Sequence, residues 1–548
     1  MIAVRYHDRT KHHFNRFARS LGYLDWATQP DPFRRYEGSA LVDLPRVALA
    51  GEVPYAALFD GSAAPAQIDD QSIGEFLRCS MGLSAWKQYG HSRWALRVNP
   101  SSGNLHPTEA YVVHDGRTFH YAPREHALEE RCAFDRDTWR RVIGTPDEVF
   151  LVALTSIHWR EAWKYGERAF RYCQHDVGHA LGALRLAGEM LGWQVRLLPE
   201  WSDRDLGRLL GVDRDADFSQ AEREEPDCIA IVGARAHSAG LAPDPSALLS
   251  ATADGSWRGV ANRLSAGQVE WSAIDEVAAA TRYPGGERHE DATVRGARVP
   301  DVSPPPGSSV APSHRRTVAP RMAREVLLTR RSAVAFDGRG TLPRDRFLSM
   351  LRRLRPPGPP WDAIDWPPHV HLVLFVHRVE GLDPGIYAYL RDDEVLAEWR
   401  SAMRQEFLWE PVPNDSNAPN NLFLLVPIDS GSTAMRLSCD QEIAAEGFFS
   451  LAMVARVEAS LRDKGEWFYR RLFWECGIIG QVLYLEAEAA GGRATGIGCF
   501  YDDPVHALLG LTGHAWQSLY HFSMGAPIDD SRLTTEPGYA WDAPGGAR

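Results

Sequence analysis

Two stretches of this chain, GERAFRYCQHDVGHALGALRLAGEMLGW from Gly166 and GEWFYRRLFWECGIIGQVLYLEAEAAGG from Gly465, lie over one another without a gap at a constant offset of 299 residues. Gly166, Glu167, Arg171 and Gly178 meet Gly465, Glu466, Arg470 and Gly477. The register continues through Leu184 and Leu483, Glu189 and Glu488, Gly192 and Gly491, and Asp203 and Asp502, and ends with Leu209, Leu210, Gly211 on Leu508, Leu509, Gly510. Self-similarity over so long a period means a duplicated domain rather than an array of short repeats. The 548 residues, which at roughly 150 per domain would make three or four, are therefore read as two related bodies.

Each copy of the repeat opens as a helix. Ala169, Cys173, Val177, Ala180, Leu184, Ala187 and Leu191 recur at spacings of three and four and make one buried stripe. Gly192 and Gly491 stand where such a helix stops, and a second short helix ends in LLG in both copies. Strand-like runs surround them: EAYVVHD, TFHYAP, VFLVALTS and CIAIVGA in the first half, HLVLFVH, GIYAYL, NLFLLVP and LYHFSMG in the second. Strands mixed with long helices predict an α+β fold. Between them, Ala, Ser, Gly and Pro dominate and end in DVSPPPGSSVAPSHRRTVAP, a linker composition. The expected division is a first domain at 1–236, a linker at 237–319 containing one helical patch, WSAIDEVAAATRY, and a second domain at 320–548.

Composition narrows the partners. Hydrophobic residues make up 44% of the chain and charged residues 24%, as in folded globular proteins. The net charge of −12 repels phosphate backbones, so no nucleic-acid partner is expected. Seven scattered cysteines without a CxxC pair point to a reducing compartment. The polar start MIAVRYHDRTKHHFNRF and the shortness of the apolar runs give no signal sequence and no membrane span, so a cytoplasmic location is expected.

No GxxxxGK[ST] phosphate loop and no GxSxG elbow is present, and GIGCFY at Gly496 lacks the third glycine of a dinucleotide fingerprint. HDVGH, from His175 to His179, has the i, i+4 histidine spacing of zinc peptidases, but Asp176 stands in place of their glutamate, and the repeat carries Trp474 and Ile478 at the histidine positions. Core or pocket histidines are the preferred reading, with no metal expected. His7, His12 and His13 read as a solvated strand edge.

Chemistry concentrates in four places. In RVNPSSGNLHPTEAY, Pro100, Ser101, Ser102, Gly103 and Asn104 make a rigid loop before a strand, either a simple turn or a platform of polar donors for a planar heterocycle. In RRSAVAFD, Arg330, Arg331 and Ser332 set two guanidinium forks and a hydroxyl side by side, as a phosphate grip needs. ATGIGCFYDDPVHALLGL reads as a strand followed by a helix, with Gly498 and Cys499 between them, and HFSMGAPIDDSRL contains Arg532. WKYGERAFRY pairs Lys164 with Tyr165, either a lysine desolvated beside an apolar ring to serve as a base with the phenol as proton donor, or an exposed lysine next to a core tyrosine. The second copy has Asp463 and Lys464 there instead.

These motifs together resemble the FMN-dependent nitroreductase fold, and the Lys-Tyr element with YHDRTKH and LDWATQPDPFRRYEG resembles its SagB-type, azoline-dehydrogenase-like members. The resemblance implies FMN as cofactor. Pro100, Ser101, Ser102 and Asn104 would touch the flavin ring, Arg330, Arg331, Ser332 and Arg532 its phosphate, and Gly498 and Cys499 would lie near ring nitrogen N5, with Lys164 and Tyr165 as the proton-transfer pair. Val334 replaces a basic residue usual in the phosphate motif. Family members build each flavin site from two subunits. Here the first half owns the PSSGN loop and the second the phosphate grip, so two tandem nitroreductase-like domains, each a mostly antiparallel sheet flanked by long helices, are expected to form a pseudo-dimer within one chain around one composite site. The implied activity is a dehydrogenase or oxidase of a peptide or peptide-derived substrate in natural-product biosynthesis, with partner biosynthetic enzymes, as a monomeric pseudo-dimer or a homodimer of it. The alternatives are an NAD(P)H-dependent nitro or quinone reductase and a flavin-poor scaffold that binds a partner.

Overall fold

In the computed structural model, which describes residues 1–49, 51–286, 321–413 and 421–542, the repeated segment forms one long helix in each half. These are α1 (Ala169–Met190) and α2 (Phe468–Ala489), both of 22 residues and related by the offset of 299. Positive φ at Gly166 (55°) and Gly465 (102°) separates each from the preceding helix, and Gly192 (67°) and Gly491 (79°) turn the chain away at the far end. The helices before them, His158–Tyr165 and Val457–Lys464, and after them, Asp203–Leu210 and Asp502–Leu509, keep the same offset. Every residue of α1 is buried, as is all of α2 before Glu488, so both are central helices rather than amphipathic surface ones.

α1 and α2 pack on each other at paired glycines. A Cβ at Gly178 would overlap the backbone carbonyl of Trp474, and one at Gly477 would overlap that of His175. His175 and Trp474 are themselves repeat partners, so the contact is two-fold, as between the subunits of an isologous dimer. Ion pairs repeat the symmetry: Arg171 meets Asp502 at 2.8 Å and Arg470 meets Asp203 at 2.5 Å. All four side chains are buried.

Each half carries an antiparallel sheet. Its central path runs Arg117–Ala122, Thr108–His114, Val149–Ser156, Glu225–Ala234, Trp193–Leu197 in the first body. Gly385–Tyr389, Val370–Val376, Phe449–Arg456, Trp516–Gly525, Arg493–Ile497 follow the same order in the second. The α+β class and the tandem arrangement are thus those expected. The halves also exchange ends. The helix Ile2–Arg9 lies on the second body, where the Ala3 N–H donates to Glu466 at 2.6 Å and His7 contacts Tyr469 (3.0 Å) and Gln517 (3.1 Å). In return, Thr534–Pro537 extends the Leu83–Tyr89 and Ser92–Arg97 hairpin of the first body.

Two expectations change. His7 and His12 are not a solvated strand edge; they are buried, because the exchanged amino-terminal segment is sandwiched between the bodies. The expected linker is folded up to residue 286: Pro245–Ala253 and Ser272–Ala280 are helices whose Leu248, Leu249, Ile274 and Val277 are buried, and Ser256–Trp257 pairs with Ala127–Ala133. Its alanine-rich composition serves close helix packing there; the rest, 287–319, lies outside the described residues. Among the described residues no helix is long and apolar enough to cross a membrane.

The glycine crossing makes a paired prediction. Gly178→Ala forces α1 and α2 apart and destabilises the chain by about 1–3 kcal/mol or more. Gly207→Ala, whose Cβ would find its nearest neighbours at 3.6 and 3.8 Å within the helix Asp203–Leu210, stabilises by about 0.5–1 kcal/mol. Denaturant midpoints shifting in opposite directions support the crossing; equal shifts refute it.

Candidate active site

A cavity of ≈ 400 Å³ lies between the two bodies and is lined by both. From the first come the loop at residues 99–104 and, on the α1 side, Tyr165, Tyr172, Asp176 and His179. From the second come Arg330, Ser332, Gln441, Tyr484, residues 495–499 and Tyr520. Its volume falls in the range of small-molecule sites, roughly 300–1,000 Å³.

The loop is held by its own polar atoms. Gly103 (φ 59°) and Asn104 (φ 60°) turn the chain in the left-handed region. The Asn104 amide donates to the Ala95 carbonyl at 2.9 Å, and the His106 N–H donates to Ser101 Oγ at 2.8 Å. The N–H and hydroxyl of Ser102 both donate to Asp176 of α1, at 3.0 and 3.1 Å. Burial pushes the Asp176 carboxyl up to about 7 even though Ser102 and Ser101 bond to it. Gly103 faces Tyr165 and Lys164: a Cβ there would stand 2.5 Å from Tyr165 Oη and 3.2 Å from Lys164 Nζ. Tyr165 lines the cavity, whereas Lys164 stands beside it, behind the loop. Burial pushes the Tyr165 phenol well above its ordinary value, and the nearby Glu161 adds to this.

The opposite end is cationic. Arg330 donates to the carbonyls of Val98 (3.0 Å) and Arg97 (3.1 Å), which tie the grip to the loop of the other body, while its Nη1 is buried without a partner. Arg331 donates to the carbonyls of Leu328 and Ser84, both at 2.8 Å, and to that of Arg330 at 2.6 Å. Among the described residues no carboxylate pairs with either arginine. Burial, and after it the Arg330 charge, brings Arg331 down to about 9, and burial followed by Arg331 lowers Lys87 on the cavity wall. Ser332 bonds Tyr484 Oη at 3.0 Å, and that same oxygen accepts the Gly496 N–H at 2.9 Å. Gly498 has no room for a side chain because Tyr172 packs on it, and Gln441 donates to the Cys499 carbonyl at 3.1 Å.

Pro100, Ser101, Ser102, Asn104, Tyr165, Arg330, Ser332, Gly498 and Cys499 therefore meet at one cavity, with Lys164 and Arg331 directly behind its walls. Arg532 does not join them. It is held at the surface by a bidentate pair with Asp530 (2.7 and 2.9 Å), and its neighbour Leu533 lines the cavity instead. The HDVGH histidines form no metal pair: His175 stacks on Tyr520 at 4.0 Å and bonds the Leu519 carbonyl, while His179 bonds Tyr520 Oη at 3.2 Å. Tyr172, Asp176, Gln441, Tyr484 and Tyr520 are lining residues that motif matching passed over. Asp176 had a signal: its repeat partner is Glu475, a carboxylate at the same register.

The repeat-related second position is closed. Glu475 accepts the backbone N–H groups of His369 and Val370 at 3.1 Å and pairs with Arg391, so the proline-rich 356–368 run ends where the first body has its PSSGN loop. Arg471, partner of Tyr172, is stacked between Tyr283 (4.5 Å), Trp467 (4.6 Å) and Trp366 (4.9 Å). Only ≈ 20 Å³ is left there, room for about one water.

The open cavity fits a group with an anionic phosphate at one end and a polar ring system at the other. The buried Arg330 with its unpartnered Nη1, next to Arg331, favours an anionic group. The unpartnered Asn99 Oδ1, His106 Nδ1 and His179 Nδ1 on the same cavity supply further hydrogen-bonding sites for a polar ligand.

A sequence profile of the nitroreductase family matches residues 64–233 and 386–526, more than half of the chain. A comparison with curated proteins returned no match. A crystal structure named for a nitroreductase of Anabaena variabilis ATCC 29413 superposes with a TM-score of 0.66 at 20% identity, over 96% of this chain and 99% of that one, which shows a shared fold. Partial superpositions include a protein of Ralstonia eutropha JMP134 named for a nitroreductase (TM-score 0.26, 15% identity, 36% of this chain, 94% of that one). Another is the E. coli microcin synthetase McbBCD complex with truncated pro-MccB17 (TM-score 0.25, 15% identity, 42% of this chain, 92% of that one).

The raised Asp176 carboxyl is testable by pH. Between about pH 4 and 7 the folded chain keeps a proton that the unfolded chain releases, so this group costs stability as pH rises through that window. Asp176→Asn therefore gains on the wild type in melting temperature from about pH 4 to 7 and holds a constant lead above it; a pH-independent difference refutes the raised value.

Proposed function

The chain belongs to the nitroreductase family, and from that premise we propose that it is an FMN-dependent dehydrogenase or oxidase. It would take a hydride and a proton, together two electrons and two hydrogens, from a C–N or C–C bond of a peptide-derived, azoline-like substrate. The observation that carries this reading is the two-ended cavity, with uncompensated Arg330 and Arg331 at one end and Tyr165, backed by Lys164, at the other. The substrate class rests on the resemblance of the Lys-Tyr element and the amino-terminal segments.

FMN, when bound, supplies two-electron redox chemistry at its ring. Arg330, with Arg331 and Lys87 beside it, would hold the phosphate, and Ser332, fixed by Tyr484, would add a hydroxyl. The 100–104 loop and residues 498–499 line the cavity from opposite bodies and would bound the ring between them, so neither half would make the site alone. Tyr165 keeps its proton at neutral pH because burial raises the phenol, which makes its Oη a donor. Lys164 Nζ, beside Gly103 but behind the loop, would be the base that takes the substrate proton by way of Tyr165, which lines the cavity. Asp176 keeps the loop in register through Ser102.

Reconstitution with FMN followed by desalting is expected to leave one equivalent of flavin absorbance per chain; its absence overturns the reading. Arg330→Met removes a charge-assisted contact of about 1.5–3 kcal/mol and weakens FMN binding roughly ten- to hundredfold. Lys164→Ala keeps the flavin and lowers turnover of an azoline peptide by roughly 10²–10⁴; unchanged turnover removes the proton-transfer role. Rapid anaerobic bleaching of the bound flavin by NADPH would instead favour a nitro or quinone reductase.

A further inference from the structure

The side chains of His12, Cys439 and Cys499 take no part in the function proposed above. They form the one group of three or more among the described residues in which one His, Cys or carboxylate ligand atom from each lies within 4.8 Å of the others. Cys439 follows the helix Gly431–Leu437 in a turn where it and Asp440 both adopt positive φ, 56° and 57°. Two successive non-glycine residues in this region cost of order 1–3 kcal/mol each, and such strain persists where the surroundings hold it. Its result is that Cys439 Sγ stands 2.9 Å from Cys499 Sγ, with His12 Nδ1 3.7 Å from the latter.

The sulfur separation discriminates between two chemistries. Nonbonded heavy atoms rest at about 3.5–4 Å, so the two thiols are already closer than packing favours. A tetrahedral zinc ion with Zn–S bonds of about 2.3 Å would hold two thiolates roughly 3.8 Å apart. A disulfide, at about 2.05 Å, requires an approach of roughly 0.9 Å. The pair is therefore past the spacing of metal ligands and on the way to that of a covalent bond. Access separates it from the remaining cysteines as well: Cys439 and Cys499 are partly exposed, whereas Cys79, Cys132, Cys173, Cys228 and Cys476 are buried.

We propose that Cys439 and Cys499 form a reversible dithiol–disulfide site whose oxidant is hydrogen peroxide. Cys499 sulfur attacks one peroxide oxygen, the O–O bond breaks, and the departing oxygen leaves as water with the thiol proton, which His12 Nδ1 is placed to relay. This leaves a sulfenic acid on Cys499. Cys439 sulfur then attacks that sulfur, the S–S bond forms, the S–O bond breaks, and the oxygen leaves as a second water with the Cys439 proton. Two electrons pass from the two thiols to the peroxide. The asymmetry of attack follows from the local charges: the hydrogen bond from the Cys439 thiol, with His12 behind it, draws the Cys499 thiol below its ordinary value, while the same bond and burial raise Cys439. Cys499 and Gln441 both line the cavity, so the bond ties the 498–501 segment to the 438–441 turn and sets the cavity wall. The inference stands on the sulfur geometry and is independent of which substrate the cavity takes.

The test uses the full-length chain without added cofactor, exposed to a small molar excess of hydrogen peroxide, blocked with N-ethylmaleimide, digested and read by mass spectrometry. The expected result is one cross-linked Cys439–Cys499 peptide pair, the loss of two titratable thiols, and recovery of both on reduction. In Cys439→Ser the expected product is a dimedone-trapped sulfenic acid at Cys499 with no cross-link. Two results would overturn the proposal: both thiols remaining alkylatable after peroxide, or one equivalent of bound zinc that shields them from the maleimide. Absence of the dimedone adduct at Cys499 in the serine variant would overturn the order of attack.

Discussion

The structure depends on the close approach of two central helices at Gly178 and Gly477. A backbone carbonyl of each helix occupies the space that a Cβ on the other would need, and no residue but glycine permits this. With the helices so close, Arg171 reaches Asp502 and Arg470 reaches Asp203, and the guanidiniums and carboxylates are buried as pairs. A buried charge is costly unless so matched. The crossing thereby sets the angle between the two sheets and the distance across which loops of one body can meet loops of the other.

From that symmetric frame the chain builds an asymmetric pair of sites. At the open one, α1 presents Tyr172 and Asp176, and Asp176 receives the Ser102 N–H of a polar loop. At the closed one, α2 presents Arg471 and Glu475 at the same register; Glu475 receives the proline-rich segment, and Arg471 is packed between three aromatic rings. The same carboxylate-to-backbone contact is thus used twice, once to shape a loop around a cavity and once to fill it. Two copies of a domain can diverge in this way within one chain, because each half needs only to retain its share of one site. Electrostatics follow the division. A chain of net charge −12 gathers Arg330, Arg331 and Lys87 at one place, and among the described residues none of the three is in an ion pair with a carboxylate, an arrangement that costs free energy where the charge is buried.

Much of the fold was legible in the residue order. The offset of 299 relates not only α1 to α2 but also the helices on either side of them, residue for residue. The strands do not keep it: the shift is 262 between Thr108–His114 and Val370–Val376, 300 between Val149–Ser156 and Phe449–Arg456, and 291 between Glu225–Ala234 and Trp516–Gly525. That the PSSGN loop and Arg330 belong to a site was legible to the extent that both line one cavity. Arg532 was not: a surface aspartate two residues away captures it, and no motif encodes which way a long side chain swings. Nor was the folded half of the apparent linker, since alanine-rich sequence serves an exposed spacer or a closely packed helix equally well, and only the presence of a surface to pack on decides.

Duplication, helix periodicity and glycine stops are properties of the sequence itself, because they rest on backbone sterics and on spacings within one helix or strand. The inventory of chemistry is likewise there, in the loop, the arginines and the Lys-Tyr pair. Tertiary structure alone decided which copies of these parts face each other: that Asp176 of HDVGH secures a loop instead of a metal, that Arg471 closes the second site, and that Cys439 and Cys499, 60 residues apart, meet at 2.9 Å. Such contacts join residues far apart in the chain through the helix crossing, so no local pattern carries them.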